Sequence, residues 1–278
     1  MKNYSARTKI MDHFWLILLC IVMIFPISWW LFASFKPTGE LASTNLLPVN
    51  WTLSNYIEGW SITNTLSFGR LFLNTLLIVC INVLGAVVSS SLVAYGFGRL
   101  DFKFKNFWFS IVMVTLMLPS QVTVVSQYIM YNKLGLLDTY WPLNLPYIMG
   151  GGAFFIFLMV QFIRGVPKDL DESAKIDGAT TFQIYSRIVL PLLKAPLTTV
   201  AIYAFTWSWD DFYSQILYIS TPAKFTVGLG LRMLIDAWEI KWGELLAMSL
   251  VSIIPALILF FTRQKDFVEG VATSGLKG

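Results

Sequence analysis

The chain has 278 residues, of which 56% are hydrophobic and only 13% charged, and its mean hydropathy is +0.66. A soluble domain carries about 25% charged residues, so this composition excludes an ordinary water-soluble enzyme and supplies several bilayer spans of about 20 residues each. The net charge of +4 is not a nucleic-acid footprint, and two cysteines with one histidine exclude a convincing metal site.

Residues 1–12 are polar, and His13–Ser34 is the first predicted span, with Pro26 inside it. Trp29 and Trp30 near its far end fit an interfacial belt. This run is too long for a cleavable signal peptide and lacks a small-residue cleavage site. Phe35–Phe68 reads as a polar loop. Arg70–Gly98 is the second span, and its small residues from Gly85 to Ala94 permit close helix packing in lipid. Arg99, Lys103 and Lys105 follow in a short basic loop. Phe107–Tyr131 is the third span, broken near Pro119, where freed backbone carbonyls need other partners. Gln121, Ser126 and Gln127 lie beyond that break. Leu143–Ile163 is the fourth span, and Gly150, Gly151 and Gly152 inside it serve packing or a hinge. The polar loop of residues 164–191 comes next. Leu192–Tyr218 is the fifth span, residues 219–241 a polar loop, Trp242–Thr262 the sixth span with Pro255, and residues 263–278 a tail. Cys20 and Cys80 fall in apolar segments and read as small buried hydrophobes. The expected fold is all-α, one membrane domain of six helices.

Six spans put both ends on one side. Fourteen of the 20 basic residues fall on that side and six on the other. By the positive-inside rule the termini and the 164–191 loop face the cytoplasm.

That loop reads as two short helices around a glycine corner. Pro167 suits the first helical position, and Asp169, Asp171 and Glu172 place negative charge where the helix dipole favours it. Asp171 and Lys175 have the spacing of an i,i+4 ion pair. Gly178 suits a left-handed C-terminal cap. Thr180 and Gln183 have the spacing of a capping box for the second helix, whose apolar stripe is Phe182, Tyr185, Ile188 and Val189. Ala174 and Gly178 offer a small surface that another protein can approach closely. Local physics leaves two readings open, a solvated linker and a docking surface.

Glu172, Ala174, Gly178 and, nine residues on, Ile188, Leu190 and Pro191 resemble the EAA loop of importer-type ABC permeases. Ser173 stands where that pattern has its first Ala. The segment Asn50–Tyr56, the turn Leu134–Thr139 and the ending Asp266–Gly278 are similar to the carbohydrate, maltose-permease-like branch. The resemblance covers nearly the whole chain. It implies a type I importer permease fold with a cytoplasmic coupling helix between spans four and five. Asp171, Glu172, Ser173, Ala174, Asp177, Gly178, Ala179 and Phe182 would then dock on an ATPase subunit. The implied partners are a second permease, two ATPase subunits that carry ATP and Mg, an extracytoplasmic sugar-binding protein and the sugar itself. The tail would reach between the ATPase subunits; glycine-rich termini otherwise fray.

For the cargo path, Asp210 and Asp211 lie in or near the fifth span, and ionisable groups at membrane depth face a bundle interior or a water-filled path. Trp207, Trp209 and Phe212 surround them and Gln215 adds an amide, a mixture that suits the apolar faces and hydroxyl rings of sugars. The other reading places these carboxylates at the outer interface, hydrated. The chain has no phosphate-binding Gly-x-x-x-x-Gly-Lys loop, no nucleophile elbow and no zinc-protease helix, so no cofactor and no catalysis of its own are expected. The competing hypotheses are an ion-coupled secondary transporter using Asp210 and Asp211, and a non-transporting membrane scaffold.

Overall fold

The computed structural model describes residues 6–235 and 240–275, and the side chains of residues 11–264 among them except Ser120. In chain order the helices and strands are α1 (Ala6–Ala33), α2 (Ser54–Trp60), β1 (Ser61–Thr63), β2 (Leu66–Ser67), α3 (Phe68–Arg99), α4 (Lys105–Met117), α5 (Ser120–Lys133), α6 (Trp141–Ile148) and α7 (Ala153–Gly165). After these come α8 (Asp169–Ile176), α9 (Thr181–Gln183), a π-helical turn at Ile184–Val189, α10 (Leu190–Leu192), α11 (Lys194–Asp210), α12 (Phe212–Tyr218), α13 (Val227–Met233) and α14 (Trp242–Gly275). Among the described residues, four segments are long and apolar enough to span a bilayer: Met11–Ala33, Phe68–Arg99, Trp141–Gly165 and Trp242–Gln264. The number rises to six when each of two bent pairs counts as one span: α4 with α5, bent by 106°, and Thr181–Leu192 with α11, bent by 79°.

The breaks have identifiable causes. Pro119 stands between α4 and α5 and donates no backbone hydrogen bond. Gly150, Gly151 and Gly152 all have positive φ and interrupt the fourth span between α6 and α7. A side chain at Gly151 would meet the Ala86 carbonyl and the Ser90 Cβ, each 3.2 Å away, so the triplet lets this break press on α3.

Two compact units emerge, one of Met1–Gly69 with Gly230–Ile254, the other of Arg70–Leu229 with Pro255–Gly278. In the first, Asn55 of α2 is buried and its amide donates to the carbonyls of Ser34 and Lys36, both at 2.8 Å. The indole N–H of Trp30 donates to the Leu246 carbonyl at 3.1 Å. The Phe35–Phe68 loop carries α2 and the β1–β2 hairpin, a minor departure from an all-helical chain. In the second unit the main core joins Ala94 and Tyr95 of α3 to Phe155, Met159, Val160 and Ile163 of α7 and to Ile184, Tyr185, Val189 and Leu193. A second cluster gathers Ile78, Tyr131, Leu143, Tyr218 and Leu229.

Four further expectations need correction. The fifth span stops at Asp210, because Asp211 leaves helical geometry (φ −72°, ψ 86°) and α12 starts afresh. The loop that follows it is partly helical, since α13 lies within it. Cys20 and Cys80 are free thiols on the outside of the chain, since an apolar residue of a span can face lipid as readily as the core. The last helix runs on to Gly275 after a non-helical residue at Arg263 (φ −121°, ψ 15°), so the tail continues as helix. The contact expected of the tail side chains lies outside the described residues.

Candidate functional site

The segment between α7 and α11 is an elbow. Lys168 is the N-cap of α8, so Pro167 lies outside the helix rather than at its first position. Asp169, Asp171 and Glu172 do occupy the first turn, as the dipole favours. The helix ends in a complete Schellman motif. The Gly178 N–H donates to the Lys175 carbonyl at 3.0 Å and the Ala179 N–H to the Ala174 carbonyl at 2.9 Å. Gly178 has φ +81°, the left-handed conformation that this motif needs. One residue later, Thr180 and Gln183 form the reciprocal capping box: the Thr180 N–H donates to Gln183 Oε1 at 2.7 Å, and the Gln183 N–H to Thr180 Oγ1 at 3.3 Å.

Only Asp171 and Ala174 of the eight α8 residues are buried. Asp171 does not pair with Lys175. Its carboxylate turns inward and lies 3.3 Å from Nε of Arg99, the last residue of α3. Asp171 shares the inward face with Ala174, while Lys175 is exposed. Arg99 Nη2 also donates to the Val166 carbonyl at 2.6 Å, just past the end of α7. Two more residues on the same stripe of α3 reach the elbow. Tyr95 donates to the Thr181 carbonyl at 3.3 Å and packs its ring 5.2 Å from that of Tyr185. The Ser91 and Tyr185 hydroxyls are 2.8 Å apart. Ser91, Tyr95 and Arg99 follow at i, i+4 and i+8, so one face of α3 grips the elbow at successive turns.

Of the residues expected to dock, Glu172, Ser173, Asp177, Gly178 and Phe182 are exposed, Ala179 is half-buried, and Asp171 and Ala174 face the core. Ala174 packs in the main core instead of offering a small outer surface. Phe182 is 68% exposed and leaves the apolar stripe, where Ile184 takes a buried place. Ile176, missed from the sequence, is 88% exposed at the elbow tip. Its signal was an apolar side chain opposite Ala174 on a short polar helix. Arg99 was counted only as a loop charge, although its i+8 spacing from Ser91 was readable.

The residues proposed for a cargo path take different partners, except that Phe212 and Gln215 both lie against Gly228. Trp207 is partly exposed and stacks at 5.1 Å on Phe155, whereas Trp209 stacks at 5.6 Å on Phe205 and meets Phe72 edge-on at 5.5 Å. Asp210 is exposed at the end of α11. Asp211 accepts the Ser214 N–H at 3.0 Å and caps α12. Gln215 is buried, its Oε1 accepting from the Thr226 hydroxyl, and Phe212 lies beside Gly228. The polar tie inside this region comes instead from Asn82 of α3, which donates to Ser208 at 2.7 Å. Among the described residues no group of His, Cys, Asp and Glu is placed to hold a metal ion.

Residues 86–264 match the family described as "Binding-protein-dependent transport system inner membrane component". A probable ABC transporter permease protein of Bacillus subtilis, YurM, is 32% identical over the whole chain and 91% of its own length. The galactooligosaccharides transport system permease protein GanQ of Bacillus subtilis is 30% identical, covering 94% of this chain and 92% of its own. The crystal structure of a bacterial ABC transporter involved in the import of the acidic polysaccharide alginate contains a chain with the same fold (TM-score 0.82, 20% identity, 95% of this chain and 99% of that one). With its apolar spans and the elbow between α7 and α11, this chain is a multi-pass membrane protein that belongs to the inner membrane components of binding-protein-dependent transport systems, the permeases of ABC transporters.

Proposed function

We propose that the chain is one permease of a carbohydrate importer and that its elbow is the surface on which a cytoplasmic ATPase subunit docks. The observation that carries this reading is the elbow itself. Two capped helices meet at Gly178, are bonded inward to α3, and hold Ile176 and Phe182 outward. A linker needs no such construction. An exposed apolar side chain at the tip of a polar helix is the anchor that a cleft in a partner can bury, and full burial of an Ile is worth about 1.5–3 kcal/mol. The fourteen-to-six asymmetry of basic residues supports placing this elbow, and both termini, in the cytoplasm of a bacterial cell. Galactooligosaccharides, the cargo named for one relative, support a sugar as substrate.

ATP binding would close two ATPase subunits, and the elbows would carry that movement into the spans of this chain and a second permease. The cavity would then open outward to a sugar delivered by an extracytoplasmic binding protein, and hydrolysis would reset it. Trp207, Asp210 and Phe212 are the sequence-predicted path residues that stay open to their surroundings, whereas Asp211 and Gln215 are committed to internal bonds. The match to ABC transporter permeases favours this reading over the ion-coupled alternative using Asp210 and Asp211.

The test is purification of the assembled transporter with Ile176→Asp. A charge there should release the ATPase subunit and leave the permease pair intact in the membrane. Full retention of the ATPase would refute the docking reading.

A further inference from the structure

We propose that Arg99 and Asp171 are positioning residues: together they make the strut by which movement of the docked elbow is delivered to α3. The inference rests on the docking reading above and goes beyond it by naming the span that receives the push and the contact that transmits it.

The geometry separates what holds α8 from what shows it to a partner. Six of its eight residues point outward, and its inward hold is the small side chain of Ala174 and the carboxylate of Asp171. Ala174 can slide against its neighbours, because a methyl contact has little directionality. The ion pair resists such sliding, since two opposite charges withdrawn from solvent and 3.3 Å apart lose attraction as they separate. Arg99 and Asp171 are both withdrawn from solvent, with side chains 2% and 11% exposed. The guanidinium is forked, so the group that meets Asp171 also holds the Val166 carbonyl where α7 gives way to α8. One side chain on α3 thereby pins the start of the elbow and the helix that docks.

The pair is a poor device for stability. Burying two charges carries a desolvation cost for each ion, and only good geometry with every remaining site satisfied offsets it. Here the contact is a single 3.3 Å charge–charge approach, and Arg99 Nε and Asp171 Oδ1 are both buried without a hydrogen-bond partner among the described residues. A balanced apolar replacement of such a pair is often neutral or stabilising. What an apolar pair lacks is a fixed register between α8 and α3. Tyr95 and Ser91 extend the same grip to Thr181 and Tyr185, so α3 and the elbow are matched at three levels, of which the Arg99 level is the one that reaches α8.

The test uses the complete transporter in liposomes, with Cys20 and Cys80 replaced by Ser. An environment-sensitive fluorophore is attached at Leu77→Cys, an exposed α3 position about 33 Å along the helix from Arg99. ATP with vanadate drives the ATPase subunits closed, and the change in fluorescence reports the movement that arrives in α3. In parallel, Ile176→Cys reports docking by cross-linking to the ATPase subunit. The charge-balanced double variant Arg99→Met with Asp171→Leu should keep the cross-link and lose at least fivefold of the α3 response. Arg99→Lys keeps the charge balance but reaches only one of the two partners, and it should lose two- to fivefold. Should the double variant fail to assemble, Arg99→Lys alone decides. An undiminished α3 response in an assembled variant overturns the strut. Failure of the Ile176 cross-link in the unsubstituted transporter overturns the docking reading instead, and the strut with it.

Discussion

The Ala179 N–H reaches back 2.9 Å to the Ala174 carbonyl, and that bond closes only because Gly178 between them sits at φ +81°. The bond turns the chain from α8 into α9 and so sets where Ile176 and Phe182 point. A side chain at Gly178 would meet nothing within 4 Å, so the constraint here is backbone conformation and not space. Asn tolerates the left-handed region better than most residues. Gly178→Asn should therefore cost about 1 kcal/mol of local order and leave the ATPase attached. Gly178→Asp has nearly the same shape but adds a charge beside Asp177. It should abolish transport and cut ATPase co-purification at least tenfold while the chain still inserts in the membrane. Equal behaviour of the two variants would mean that Gly178 matters for the turn alone.

A tighter glycine constraint lies one residue before Arg99. A Cβ on Gly98 would stand 2.5 Å from Cγ2 of Ile163, a fully buried residue of α7. That carbon is a branch on Cβ, so it can move only by turning χ1 away from the rotamer a helix strongly prefers, and Cβ itself stays 3.2 Å away. Gly98→Ala should lower stability by about 1–3 kcal/mol, the usual range for overpacking a filled core. It should also displace the Arg99 fork from Val166. Ile163→Leu removes the offending branch and keeps the volume, so the double variant should recover most of the loss. Thermal unfolding of the purified transporter in detergent measures both, and failure of Ile163→Leu to rescue would place the clash elsewhere.

The parts of this architecture that were legible from sequence are those governed by neighbours in the chain. Apolar runs located the spans, Pro119 marked the break between α4 and α5, and Gly178, Thr180 and Gln183 announced the corner and its cap. What required the folded chain was the choice of partner. Asp171 had a plausible mate four residues away in Lys175, yet burial on the Ala174 face turned it to Arg99 on a different helix. Phe182 fitted a helical stripe by spacing, but Ile184 and Tyr185 filled the inward face and left it outside. Hydropathy also cannot distinguish core from lipid contact, which is why Cys20 and Cys80 read as buried and are not. Asp210 and Asp211 are neighbours in sequence, but Asp211 ends one helix and caps the next.

At the other end of the same unit, the loop between α5 and α6 is tied to the segment after α12 by one carboxylate. Asp138 sits at φ +56° and accepts the Ser220 and Thr221 N–H groups at 3.0 and 2.9 Å through Oδ1. Its Oδ2 takes the Thr221 hydroxyl at 2.6 Å and the Lys224 ammonium at 2.9 Å. The Thr221 hydroxyl, then the Lys224 side chain and the backbone N–H groups, hold Asp138 well below the ordinary carboxylate range, and slight desolvation opposes them only weakly. A depressed acid of this kind adds stability above its unfolded pKa, about 3.9, and that stability is lost as pH falls toward the folded value. The purified transporter should therefore keep a constant unfolding temperature from pH 7 to about 5 on this account, and lose stability below about 4. Glu40 contributes in the same direction. Desolvation pushes its pKa up, but the Asn50 side chain and the Asn50 and Val49 N–H groups together bring it below the usual value. Asp138→Asn should lower the unfolding temperature at pH 7, since Lys224 loses its counter-charge, and should flatten part of the acid limb, the remainder belonging to groups such as Glu40. An acid limb as steep in Asp138→Asn as in the parent chain would remove Asp138 from this role.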